Sequence, residues 1–131
     1  MWNPGDEIGP WMYEVSREQL VRYAGASDDF NPIHYDDTLA RKFGLPGVIV
    51  HGMLNMGIMG RFVVESFGAG SRLTHYSVRF RNIVQPGEEL LIRGRIRERK
   101  GSQLTIDVNL AAAGAKPAIT GRLIVKIKEE I

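Results

Sequence analysis

The sequence predicts an α+β domain in which an antiparallel β-sheet wraps around one long, buried central helix, and three observations lead there. Beyond Gly68, apolar residues recur at every second position in segment after segment, the period of a strand with one buried face. Between Gly52 and Phe67 only Asn55, Arg61, Glu65 and Ser66 are polar, and a helix that is apolar nearly all round must be buried. The alternating segments are joined by short turn sequences, Pro86-Gly87, Lys100-Gly101 and Gly114 to Pro117, which suit antiparallel neighbours. A sheet with one dry face and a helix without a wet one bury each other.

Taken in order, the first ten residues are rich in Gly and Pro and lead into a short strand expected around Trp11 to Val15. Ser16 reads as the cap of a helix over Glu18 to Ala24, with Leu20, Val21 and Tyr23 on its apolar side and Gly25 as its stop. A polar loop, Ser27 to His34, comes next. It is followed by a short helix from Asp36 to Phe43, a turn at Gly44-Leu45-Pro46-Gly47, the apolar run Val48-Ile49-Val50, and His51-Gly52-Met53 opening the central helix. Within that helix Gly57 and Gly60 each cost about 1 kcal/mol relative to Ala, and close backbone packing is the expected return. Met53, Met56 and Met59 read as core filler. The sixteen residues from Gly52 to Phe67 fall short of a membrane span, which needs about 20.

The strand residues divide cleanly. Tyr76, Val78 and Phe80 alternate with His75, Ser77, Arg79 and Arg81, while Leu90, Ile92 and Ile96 oppose Arg93, Arg95, Arg97 and Arg99. Leu104, Ile106, Val108 and Leu110 oppose Gln103, Thr105, Asp107 and Asn109; Ile119, Leu123, Val125 and Ile127 oppose Thr120, Arg122, Lys126 and Lys128. The expected topology is a meander with a wet outer face and a dry inner one.

The chain has 131 residues, 44% hydrophobic and 24% charged, which is the composition of one soluble domain, expected to span residues 1–131. Without cysteine it has neither disulfides nor thiolate metal sites, and with no signal-peptide pattern a cytoplasmic location is expected. A formal charge of +2, with no basic tail and no basic-aromatic run, speaks against nucleic acid as a partner.

The residues with chemistry to offer are gathered in the polar loop. Asp29 and His34 stand five positions apart, and Pro32 disfavours helix at Asn31, so the loop can curl and bring carboxylate and imidazole together. Such a pair supplies an anionic base and a group that titrates near neutrality, which moving a proton to or from water requires. Asn31 can cap a turn or orient a neighbour. The bland reading of the same residues is an Asx turn beside a solvated histidine. Gly52, at the helix start, offers an unpaired N–H where the dipole favours negative charge. His51 beside it is a weaker candidate for touching a substrate, a packed and hydrogen-bonded structural histidine being the commoner case, and His75 reads as exposed. The three histidines lack an i,i+4 pairing, so no metal site is expected, and neither a Gly-rich phosphate loop nor a nucleophile elbow is present.

The ordered string of these residues resembles the MaoC-like (R)-specific enoyl-CoA hydratases and (R)-3-hydroxyacyl dehydratases, a hotdog-fold family. Its signature is an aromatic residue, then D-x-N-P, an aliphatic residue and H, then a small residue, matched here by Tyr23, Asp29, Asn31, Pro32, Ile33, His34 and Ala40. The run Val50-His51-Gly52-Met53 is similar to that family's opening of its central helix. Asp28 departs from the pattern, standing where many members have Gly; Asp tolerates unusual backbone angles better than most residues. The resemblance covers nearly the whole chain. It implies reversible addition of water across the 2,3 double bond of a trans-2-enoyl thioester, of coenzyme A or an acyl carrier protein, to give the (R)-3-hydroxyacyl product. It further implies Asp29 as general base, His34 as its partner in holding water and passing protons, and the Gly52 N–H as donor to the thioester oxygen. Asn31 then has a supporting role; no cofactor is called for, and the chain is expected to form homodimers or oligomers of dimers.

Two other readings fit the same fold. One is a noncatalytic acyl-thioester-binding or partner subunit, against which the presence of both Asp29 and His34 argues; the other is a hotdog thioesterase, which this motif pair does not support. The arginines at 93, 95, 97 and 99, with Arg79 and Arg81, read as a solvated face, or less commonly as a surface for the phosphates of coenzyme A or an acidic carrier.

Overall fold

The computed structural model describes residues 2–128. Side-chain caps open every helical segment except the long one, whose N-cap, His51, makes no side-chain capping bond. Ser16 accepts a hydrogen bond from the Gln19 N–H while the Gln19 side chain accepts from the Ser16 N–H, and this reciprocal box opens helix α1, Arg17–Ser27. Gly25 does not stop it; α1 runs on to Ser27 and ends at Asp28, whose φ of 59° is left-handed. Asn31 caps a single 3-10 turn at Pro32–His34, and Asp36 caps α2, Asp37–Lys42, by accepting from the Leu39 N–H. The long helix α3 occupies Gly52–Glu65.

Five strands follow the expected periods: β1 at Glu7–Tyr13, β2 at Arg72–Phe80, β3 at Leu90–Lys100, β4 at Gln103–Ala112 and β5 at Pro117–Lys126. The first lies earlier than the Trp11 to Val15 expectation. Gly9 and Pro10 fall inside it, and a register shift between Ile8 and Trp11 accommodates them, as an edge strand permits.

Every neighbouring pair in the sheet is antiparallel, in the order β1-β3-β4-β5-β2. Only β3 to β5 form the expected meander. β2 lies beyond β5 at the far edge, so the connection from Phe80 to Leu90 crosses the sheet end and places Val84 against the segment leading into α3, where its carbonyl accepts from the Val50 N–H. Periodicity shows which face of a strand is dry but is silent on which strand it pairs with.

The inner face is built from Leu90, Ile92, Ile96, Leu104, Ile106, Leu110, Leu123 and Val125, and α3 lays Met59 and Val63 into the same core. The helix is not buried all round. Met53, Gly57, Arg61 and Glu65, a stripe at i,i+4 spacing, are exposed, since one sheet covers one side of a cylinder. Close packing accounts for Gly60, where an added Cβ would come within 2.8 Å of the Tyr76 ring, but not for Gly57, which has open space. Met59 is fully buried core, whereas Met53 is 60% exposed.

Among the strand arginines, 93, 95 and 97 are exposed as expected. Arg99 departs. A register shift between Ile96 and Glu98 sets it opposite inward-facing Leu104, and its guanidinium donates to the Trp2 carbonyl at 2.7 Å. His75 is exposed, and no helix among the described residues is long and apolar enough to cross a membrane.

Met59 touches core on all sides, so Met59→Ala leaves a cavity the sheet cannot collapse into, and a loss of about 2–5 kcal/mol is expected from denaturant unfolding. A change below about 1 kcal/mol would mean that α3 is not the element that fills the sheet.

Candidate active site

The polar loop is held against the opening of α3 by its backbone. The Ile49 N–H donates to the Ile33 carbonyl at 3.0 Å, and the Ile49 carbonyl in turn accepts from Nδ1 of His34 at 2.8 Å. A carbonyl can only accept, so Nδ1 carries the proton and, in the neutral ring, Nε2 carries none. The Asp37 carboxylate reinforces the assembly by accepting from the Val48 N–H and from Arg17; these bonds, the backbone one foremost, hold its pKa below the usual carboxylate range.

His34 is thereby buried with one nitrogen free, and that nitrogen faces Asp29. Nε2 lies 3.8 Å from Asp29 Oδ2, with the carboxylate about half exposed and the imidazole 9% exposed. That distance is too long for a direct hydrogen bond. It does suit one water oxygen lying about 2.8 Å from each atom, donating one hydrogen to the carboxylate and the other to the ring. The bland reading of a solvated histidine therefore does not describe His34.

Asn31 is occupied locally: its side-chain oxygen accepts from the Ile33 N–H, and its own N–H donates to Asp29 Oδ1. It shapes the loop that carries Asp29. The N–H of Gly52 belongs to the first turn of α3, where amides lack an intrahelical acceptor. Glycine here also lets a neighbour in, since an added Cβ would lie 2.8 Å from the Phe80 ring and push it aside.

His51 is packed as expected of a structural histidine, but the expected hydrogen bond is missing. Its ring stacks on His34 with centroids 3.7 Å apart and meets Tyr23 edge-on at 4.7 Å, and neither of its buried nitrogens has a hydrogen-bond partner among the described residues. Desolvation first and the adjacent His34 second lower its pKa, opposed in part by the backbone and carboxylate of Asp29. Asp29, His34 and His51 each offer one ligand atom within 4.8 Å of the others. The two rings are only 21° from parallel, however, so their in-plane lone pairs run side by side where a metal would need them to converge.

A cavity of about 350 Å³ opens from this point, lined by His34 and Gly52, the apolar side chains of Met53, Phe80, Ile83 and Val84, and Asn55. Sequence reasoning passed over Asn55 and its partner Tyr13, whose hydroxyl donates to Asn55 Oδ1 at 2.7 Å. The available signal was a lone amide in an apolar helix, three positions after Gly52 and so on the same face. On the outer face of the sheet a broad basin carries Arg79, Arg81, Arg93, Arg95 and Arg122 around Asp107, with Arg97 and Arg122 ion-paired to Asp107.

A family model described as MaoC like domain matches residues 3–113. A peroxisomal hydratase-dehydrogenase-epimerase of Saccharomyces cerevisiae is 40% identical over 92 residues, covering 69% of this chain and 10% of that protein. A mitochondrial 3-hydroxyacyl-acyl-carrier-protein dehydratase of Arabidopsis thaliana is 38% identical over 76 residues, covering 58% of this chain and 45% of that one. The chain thus spans a tenth of one relative and less than half of the other. Among solved structures, an (R)-hydratase from A. caviae involved in PHA biosynthesis superposes with a TM-score of 0.90 at 24% identity, covering 97% of this chain and 98% of that one. The sheet and helix described above are accordingly a hotdog fold.

The burial of His51 makes stability depend on pH. Its folded-state pKa lies below the usual 6.5, so the unfolded chain takes up the proton first; the stabilisation is complete above that value and is lost as pH falls through the folded one. His51→Phe, which keeps a ring in the stack, is expected to flatten the decline in denaturant midpoint between about pH 7 and pH 5. Equal slopes for the two proteins would remove His51 from that dependence.

Proposed function

The chain belongs to the MaoC-like domain family, and on that footing we propose that it catalyses reversible hydration of trans-2-enoyl thioesters to (R)-3-hydroxyacyl thioesters. The observation that carries this reading is the Asp29 and His34 pair, two acceptor atoms 3.8 Å apart, with His34 lining a largely apolar cavity. Two acceptors close together hold a water by both hydrogens and leave its lone pair free for attack.

In the forward direction Asp29 takes one proton from that water as its oxygen bonds to C3. The π electrons move to C2 and on to the thioester oxygen, which gains negative charge. The Gly52 N–H, with the positive end of the α3 dipole behind it, donates to that oxygen. Asp29, now a carboxylic acid, returns the proton to C2, so the enzyme ends as it began. His34 keeps the water's second hydrogen engaged and thereby orients it. Dehydration runs the same steps backwards.

A thioester of coenzyme A or of an acyl carrier protein presents phosphate outside the cavity, and the arginines of the outer sheet face supply charge for it. A second copy of the chain covering an open edge of the sheet, at β1 or β2, completes the proposed assembly.

The test is loss of the enoyl-thioester ultraviolet absorbance with crotonyl-CoA and with an eight-carbon analogue, followed by chiral analysis of the product. Rapid loss giving the (R)-alcohol is expected; free thiol without it would indicate a thioesterase, and no reaction with either substrate would favour a noncatalytic subunit. Asp29→Asn should lower kcat by at least about 10²-fold with little change in KM, and a rate near that of the parent would sink its role as base. Neutralising Arg93 and Arg95 should raise KM at low salt and matter less at high salt, whereas an unchanged KM would dismiss the phosphate surface.

A further inference from the structure

The developing charge on a thioester oxygen is ordinarily met by more than one donor, and the reading above supplies one, the Gly52 N–H. The described polar side chains around the cavity are His34, Asn55 and Asn82. His34 has committed its Nδ1–H to the Ile49 carbonyl. Asn82 is exposed and donates to the Pro117 carbonyl. Asn55 is only 2% exposed, and the hydrogen bond that engages its side chain, from the Tyr13 hydroxyl, occupies Oδ1.

The Tyr13 hydroxyl donates to Oδ1 at 2.7 Å, and an amide whose oxygen is held in this way has its Nδ2 left for the cavity that Asn55 lines. No protein acceptor among the described residues takes a hydrogen bond from Nδ2. A donor without a protein partner on the wall of a cavity is available to an acceptor that a ligand brings. The position is also right: residues three apart lie on one helix face, and a helical side chain leans back over the turn N-terminal to it, which for Asn55 is the turn that begins at Gly52.

We infer that Asn55 Nδ2 is the second donor to the thioester oxygen, acting with the Gly52 N–H, and that Tyr13 is the positioning residue that holds the amide in that orientation. The inference rests on the hydratase reading and deepens it. It makes the first turn of α3 a two-point oxyanion site, one point from backbone and one from a side chain.

The experiment compares the parent protein with Asn55→Leu and Tyr13→Phe in steady-state hydration of crotonyl-CoA. Asn55→Leu should lower kcat by about 10²-fold with KM nearly unchanged, as expected when a donor used chiefly in the transition state is removed. Tyr13→Phe, which leaves the amide in place but unfixed, should lose about 2- to 10-fold. A spectroscopic reading separates this role from a structural one. In an Asp29→Asn background, where turnover is suppressed, bound hexadienoyl-CoA should absorb at longer wavelength than the free thioester, and adding Asn55→Leu should diminish that shift. If Asn55→Leu does not fold, Asn55→Ser carries the same two readings. A variant with kcat within about 2-fold of the parent and an undiminished red shift overturns the inference while leaving the hydratase reading intact. A parent protein that hydrates no enoyl thioester overturns both.

Discussion

The site depends on one short ladder between two segments distant in sequence. The Ile49 N–H to Ile33 carbonyl bond and the His34 Nδ1–H to Ile49 carbonyl bond tie the polar loop to the strand-like lead into α3. The first sets the spacing; the second sets the histidine's tautomer. Without the second, Nε2 and Nδ1 would exchange the proton freely and the ring would present a donor or an acceptor to Asp29 with little preference. With it, the neutral ring presents an acceptor. One backbone carbonyl thereby decides the chemical character of the group that faces water.

Other contacts serve that ladder. The Asp37 carboxylate gathers the Val48 N–H and Arg17, linking α1, α2 and the segment that carries Ile49. The crossing from β2 to β3 supplies the Val84 carbonyl to the Val50 N–H, so the strand order of the sheet reaches the site directly. His51 stacks behind His34 and Tyr23 closes on His51. Burial first and the neighbouring ring second disfavour the charged form of His51, whose pKa is lowered.

The cavity combines apolar and polar surface. Met53, Phe80 and Ile83, all around half exposed or more, form its apolar wall, while the start of α3 supplies unpaired N–H groups. Phe80 leans so close to Gly52 that any side chain there would displace it. The same glycine that leaves its amide open therefore also admits the aromatic wall of the cavity.

Much of this was legible in the sequence because it is local. The cap at Ser16, the turn cap at Asn31, the short helix beside Asp36, the α3 segment and the inward residues of β3 to β5 follow from hydrogen-bonding side chains and periods that adjacent residues specify. The order of Asp29, Asn31, Pro32 and His34 likewise pointed to a loop that curls to bring a carboxylate toward an imidazole. Tertiary structure decided what depends on residues far apart. It placed β2 beyond β5, turned Arg99 inward through a bulge, left one stripe of α3 open, and set Tyr13 against Asn55 across 42 positions of chain. A hydrophobic period determines which face of an element is buried, but the partner that buries it, the proton that sits on His34 and the direction in which an amide points are fixed only when distant segments meet.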